Sequence, residues 1–173
     1  TLARRFTEQH RDVSCVVATC SEFAAAPLQP LTDALSDIVA SQTTIGAEQL
    51  RPALGEQAPL VLVVDDVQWA DDATASLLCD LVARQRPAGM LLLVIARPAV
   101  GPHRSVARLH ELIAREGTVL TLSSLARRDL AELLGHHTDR ASIDDVDWFA
   151  AATGGSPLIA SLLLRTDVGR LGR

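Results

Sequence analysis

The chain has 173 residues, 48% hydrophobic and 21% charged, which is ordinary globular composition and excludes collagen-like and disordered chains. Its net charge of -5 argues against a nucleic-acid module, because phosphate contacts need clustered cations. All 16 cations are arginine, so chemistry that needs a lysine is closed to these residues.

Leu2 and Phe6 recur at helical spacing and predict a short first helix. The β-branched run Val13 to Thr19 then reads as a strand. After a turn at Pro27 to Pro30, the stripe Leu31, Leu35, Ile38 and Val39 predicts a second helix. Gly46 to Gln57, polar and interrupted by Pro52 and Gly55, is expected to be a loop with at most one short helix.

Leu60 to Val64 is apolar at every position, as a strand buried on both faces of a parallel sheet must be. Asp72 to Arg86 follows as a helix with Leu77, Leu78, Leu81 and Val82 on one face, and Asp71 and Asp72 are placed to cap its first N–H groups. Met90 to Ala96 is a second apolar strand, Ser105 to Arg115 a helix, and Val119 to Leu122 a third core strand. Alternating strands and helices imply right-handed crossovers and a parallel sheet covered on both sides. Beyond Leu122 only helices are expected: Arg127 to Leu134, Ser142 to Ala152 and Ser156 to Arg165, with Gly154 and Gly155 ending one and Ser156 and Pro157 starting the next.

Cys15, Cys20 and Cys79 lack a C-x-x-C spacing, so a reduced, cytoplasmic setting is expected. Cys15 and Cys20 lie on opposite sides of a strand and cannot share a metal, and the adjacent His136 and His137 fit a solvated helix end better than zinc. No apolar run approaches the roughly 20 residues that span a bilayer. The chain opens on Thr1 in place of methionine and enters an apolar-periodic segment at once, as the continuation of a longer polypeptide would.

The sharpest chemical feature is the strand Leu60 to Val64 running into Asp65 and Asp66. Open α/β sheets bind ligands at the carboxyl ends of their strands, and in phosphoryl transfer one acid there orders Mg2+ while another positions the attacking water. Two acids that merely end a strand and open a polar turn are the plainer alternative. A phospho-acceptor receiver domain is excluded, since no Asp lies between Asp80 and Asp129 and there is no lysine. Trp69 beside the acids reads as a packing wedge.

The stretch LVLVVDDVQWADDATASLL, Leu60 to Leu78, resembles the Walker B segment of signal-transduction ATPases related to AAA+ proteins, in particular the ATP-binding domain of large LuxR-type transcriptional regulators. Cys20, Ser21 and Glu22, followed by Pro27, Leu28, Pro30 and Leu31, resemble that family's second strand and the entry to its helix. LLLVIARP, Leu91 to Pro98, resembles the strand whose terminal polar residue senses the γ-phosphate, here Arg97. ATGGSPLIASLLLR, Ala152 to Arg165, resembles the Gly-Gly-Asn-Pro-Leu segment of the helical lid, with Ser156 in place of the usual Asn.

The resemblance implies a P-loop NTPase-like parallel sheet covered by helices over residues 1–123, followed by part of a small helical lid over 124–173. It also implies ATP or ADP with Mg2+ as cofactors, Thr1 and Asp65 toward the metal, Asp66 as the catalytic, water-positioning acid, Arg97 toward the γ-phosphate and Pro157 against the base. The Gly-rich loop ending in Gly-Lys that holds the phosphates in this family would precede Thr1, so hydrolysis is not expected of these residues alone. Expected partners are the nucleotide, other domains of the same polypeptide and a second copy of the chain, without nucleic-acid or membrane contact by this segment. A degenerate module of the same fold that mediates contacts without binding nucleotide is the alternative.

Overall fold

The computed structural model describes residues 5–6, 9, 13–24, 26–36, 46–97, 104–138 and 142–165. The chain divides into two compact units, Thr1–Val119 and Leu120–Arg173. Of the expected first helix, Arg5, Phe6 and Gln9 are helical, while Leu2 lies outside the described residues.

The first unit is α/β. In chain order it contains β1 (Ser14–Thr19), α1 (Gln29–Ala34), α2 (Ala47–Glu56), β2 (Leu60–Asp65), a 3-10 turn at Val67–Trp69, α3 (Asp72–Asp80) running into a π-helical turn at Leu81–Gln85, β3 (Met90–Val94) and α4 (Arg104–Glu116). The strands form a parallel sheet in the order β1-β2-β3. Apolar β2 takes the middle, because only there do both faces and both edges of a strand find cover. The register sets Val16 beside Leu62 and Leu62 beside Leu92, so one sheet face carries Val16, Ala18, Leu60, Leu62, Val64 and Met90. Against it pack Leu31 and Leu35 with Leu50 and Leu54, Leu77, Leu78 and Leu81, and Val106 and Leu109. Each leucine fully removed from water there contributes about 1.5–3 kcal/mol. Strand alternation turns Val61 and Val63 to the opposite face, where they are buried while Val17 and Leu91 on the same face are exposed.

Two expectations are corrected. Gly46 to Gln57 is not a loop: α2 runs for 10 residues through Pro52. Pro52 removes one intrahelical bond, but Leu50 and Leu54, one turn apart, are completely buried, and Gln49 Oε1 accepts the Gly46 N–H at 2.7 Å. The described part of the second helix is α1, with Leu35 just past its end, while Ile38 and Val39 lie outside the described residues. Val119 to Leu122 is not a core strand, since Val119, Leu120 and Leu122 are 61%, 79% and 77% exposed. β-propensity is realised only where a neighbouring strand supplies ladder partners, and among the described residues none pairs with this segment. β3 is the outer strand of the described sheet.

The described part of the second unit is helical: α5 (Arg127–Gly135), α6 (Ile143–Thr153) and α7 (Pro157–Arg165) enclose Leu130, Leu134, Val146, Phe149, Ala160 and Leu164. Ser142 caps α6 by accepting the Asp145 N–H, and Gly154 ends it at φ 56°.

Candidate functional site at the carboxyl edge of the sheet

Asp65 is the last residue of β2, paired in register with Thr19. Its carbonyl accepts the Cys20 N–H at 2.9 Å, which ties the end of β1 to the acid pair. Beyond it the chain turns sharply: Asp66 is left-handed, at φ 54° and ψ 41°, and its N–H donates to Asp65 Oδ1 at 2.9 Å. A non-glycine residue in that region is strained, and the strain persists because the flanking turn is fixed on both sides. On the far side, Ile95 N–H donates to the Val64 carbonyl at 2.9 Å and Val67 N–H to the Ile95 carbonyl at 3.0 Å, so the turn is stitched to the end of β3.

Arg97 follows that end of β3, and its Nε stands 3.7 Å from Asp66 Oδ1. The pair is mostly in solvent, with side chains 73% and 36% exposed, so it orients the carboxylate more than it stabilises the fold. Between them lies Gln68, only 4% exposed. Its Nε2 donates to Asp66 Oδ1 at 2.8 Å and its Oε1 accepts the Arg97 N–H at 3.2 Å. The structure therefore gathers Asp65, Asp66 and Arg97 at one edge.

Asp71 is the N-cap of α3, its Oδ1 accepting the Thr74 N–H at 2.9 Å, and the same carboxylate accepts the Leu28 N–H at 3.3 Å. Asp72 accepts the Ser105 hydroxyl at 2.6 Å and so links α3 to α4. Trp69 packs partly buried on the core, as a wedge would.

Cys20 registers the electrostatics of this edge. Its thiol is pushed up to about 12 by burial first, and then by the negative charges of Asp71, Asp66 and Asp65. The three carboxylates make this edge a region of negative potential, which suits a cation.

Thr1 lies outside the described residues. Pro157 is the exposed first residue of α7, in the second unit. The residue that sequence reasoning missed is Gln68, and its signal was there: a lone amide between Val67 and Trp69, two positions after the acids, in a stretch otherwise apolar or acidic.

Among the described residues no group of three or more His, Cys, Asp or Glu is arranged to hold a metal ion. Nucleotide sites hold Mg2+ through one or two carboxylates and the phosphates rather than in an all-protein cage. Asp65, a carboxylate at the end of the middle strand with the Asp66 N–H donating to it, fits that role.

Paired acids at the carboxyl end of the middle strand of a parallel sheet, with an arginine on the neighbouring strand end, define an α/β protein of the nucleotide-binding kind. Residues 1–95, more than half of the chain, match the AAA ATPase domain, and the chain belongs to that family. Among solved structures it is similar to three mutant forms of RuvB from Thermotoga maritima, at 15–17% identity and a TM-score of 0.49. Each match covers 95% of this chain and 58% of the RuvB chain, so the chain spans little more than half the length of those proteins. No curated protein matches the sequence. Among the described residues no helix is long and apolar enough to cross a membrane.

Proposed function

We propose that the chain is the ATP-binding regulatory domain of a larger polypeptide, a signal-transduction ATPase of the kind found in LuxR-type transcriptional regulators, in which nucleotide acts as a conformational switch. The observation that carries it is the convergence of Asp65, Asp66 and Arg97 at one sheet edge, with Arg97 Nε 3.7 Å from Asp66 Oδ1. Asp65 faces the metal, with Thr1 as its second protein ligand. Asp66 accepts a proton from, and so orients, the attacking water, and Arg97 leaves its exposed pair to meet the terminal phosphate. Bound Mg2+ supplies neutralisation of the phosphate charge. Pro157 meets the base, as the resemblance implies, and the bound nucleotide sets the state of the switch. The remaining domains of the polypeptide and a second copy of the chain are its partners.

Calorimetric titration of the full-length protein with ATP and ADP, with and without Mg2+, is the test. Binding is expected to depend on Mg2+, and Asp65→Asn is expected to weaken it at least about tenfold, as loss of a charge-assisted contact does. Absence of binding by the unmodified full-length protein overturns this function in favour of a nucleotide-free interaction module.

A further inference from the structure

Gln68 is a buried polar side chain whose two hydrogen bonds point in opposite directions, one to a side chain and one to backbone. Nε2 donates to Asp66 Oδ1 at 2.8 Å, and Oε1 accepts from Arg97 N–H at 3.2 Å, across 29 positions of sequence. The amide does both, whereas a carboxylate at this position would repel Asp66, and an aliphatic chain would leave the Arg97 N–H and one Asp66 lone pair without their partner.

We propose that Gln68 is a positioning residue for Asp66, tying the direction of its carboxylate to the backbone at the end of β3. The inference rests on the function proposed above and deepens it. The strained left-handed turn at Asp66 leaves the direction of the carboxylate to its contacts, and both contacts on Oδ1 come through the same place. One is the Gln68 amide, itself held by Arg97 N–H; the other is the Arg97 guanidinium. When Arg97 is drawn toward a phosphate, the guanidinium leaves Oδ1 while the amide still holds it. Asp66 thus keeps its aim through the step in which its counter-charge departs. Displacement of the Arg97 backbone, in contrast, reaches Asp66 through Gln68.

Gln68→Met, close in length and unable to hydrogen bond, is the direct variant, and Gln68→Glu retains an acceptor for Arg97 N–H while losing the donor to Asp66. In the 173-residue chain, Gln68→Met is expected to accelerate hydrogen exchange of the Arg97 amide about tenfold and to move the Asp66 carboxyl carbon resonance, with that of Asp65 little changed. Gln68→Glu is expected to move the Asp66 resonance while leaving Arg97 exchange slow, and it serves alone if the methionine variant does not fold. In the full-length protein, both variants are expected to keep the KM for ATP within about threefold and to lower kcat about tenfold, the signature of a lost positioning contact. An unmoved Asp66 resonance in both variants, or an unchanged kcat, overturns the role of Gln68. Failure of the unmodified full-length protein to bind nucleotide refutes the proposed function instead, and the resonance and exchange measurements then decide whether Gln68 positions Asp66.

Discussion

The carboxylate of Asp71 accepts the backbone N–H of Leu28 at 3.3 Å, across 43 positions of sequence. Leu28 is the N-cap of α1 and sits at φ 60°, a left-handed conformation that costs a non-glycine residue about 1–2 kcal/mol. Asp71 also caps α3 through the Thr74 N–H, so one side chain holds the starts of two helices and the strained residue between β1 and α1.

Asp71→Ala removes a cap and a long-range bond together and is expected to cost about 2–3 kcal/mol, and Asp71→Asn, which keeps an acceptor, about 1 kcal/mol. Urea unfolding followed by Trp69 fluorescence in a Trp148→Phe background measures this, because Trp69 packs on the core of the first unit. Equal costs for the two substitutions would show that the capping geometry does not matter.

The two glycines after α6 are expected to differ sharply. Both have positive φ, 56° at Gly154 and 73° at Gly155, so an alanine is strained at either. A Cβ at Gly154 meets open space, whereas at Gly155 it would lie 2.8 Å from the Leu125 carbonyl oxygen and 2.8 Å from Ser124 Cβ. Gly154→Ala is therefore expected to cost about 1 kcal/mol and Gly155→Ala clearly more, at least about 2 kcal/mol, read as resistance of the helical unit to limited proteolysis or as its Tm.

Alkaline pH should expose Cys20. Its thiol ionises at about 12 in the native chain against an ordinary 9.0, so below pH 9 both states keep the proton and stability is unaffected. Above pH 9 the unfolded chain loses a proton that the native chain retains, and stability falls as pH rises toward 12. Cys15 and Cys79 are also raised by burial and act in the same direction. In a Cys15→Ala, Cys79→Ala background, Cys20→Ala is expected to flatten the unfolding free energy between pH 9 and 11. An unchanged slope would place the loss elsewhere.

At the acid end the helical unit carries the dependence. The Asp145 carboxyl is held below its ordinary value of 3.8 by the Ser142 hydroxyl and backbone N–H, and Asp147 is held down by hydrogen bonding to Arg127. Both depressions stabilise the fold above pH 4, and that stability disappears as pH falls through the lowered values. Ser142→Ala should shrink the loss of helicity seen by circular dichroism on acidification, and it should lower helicity at neutral pH by removing the α6 cap.

What was legible in the sequence depended on whether local pattern and tertiary context agreed. β2 was plain because a strand buried on both faces must be apolar throughout, and its two acids marked the edge at which it ends. The start of α3 followed from Asp71, since capping is local chemistry. α2 was hidden because Pro52 and Gly55 argue against a helix locally, while the burial of Leu50 and Leu54 that overrides them is tertiary. Val119 to Leu122 misled in the other direction, for its β-propensity is genuine but has no ladder partner among the described residues. Gln68 escaped because its partner Arg97 is 29 positions away, and only the β2-β3 register brings the two together.

The exposed segment Val119 to Leu122 has a practical consequence for handling the isolated chain. It is exposed, uncharged and rich in β-branched and aliphatic residues, and β3, the outer strand of the described sheet, is uncharged as well. Each molecule thus offers an exposed, uncharged segment of strand-forming residues, of the kind that natural proteins charge or cover to prevent pairing between molecules. Concentrated preparations should accumulate thioflavin-positive aggregates with a lag that shortens as protein concentration rises, and a single Leu120→Arg substitution should lengthen that lag while leaving the native circular dichroism unchanged.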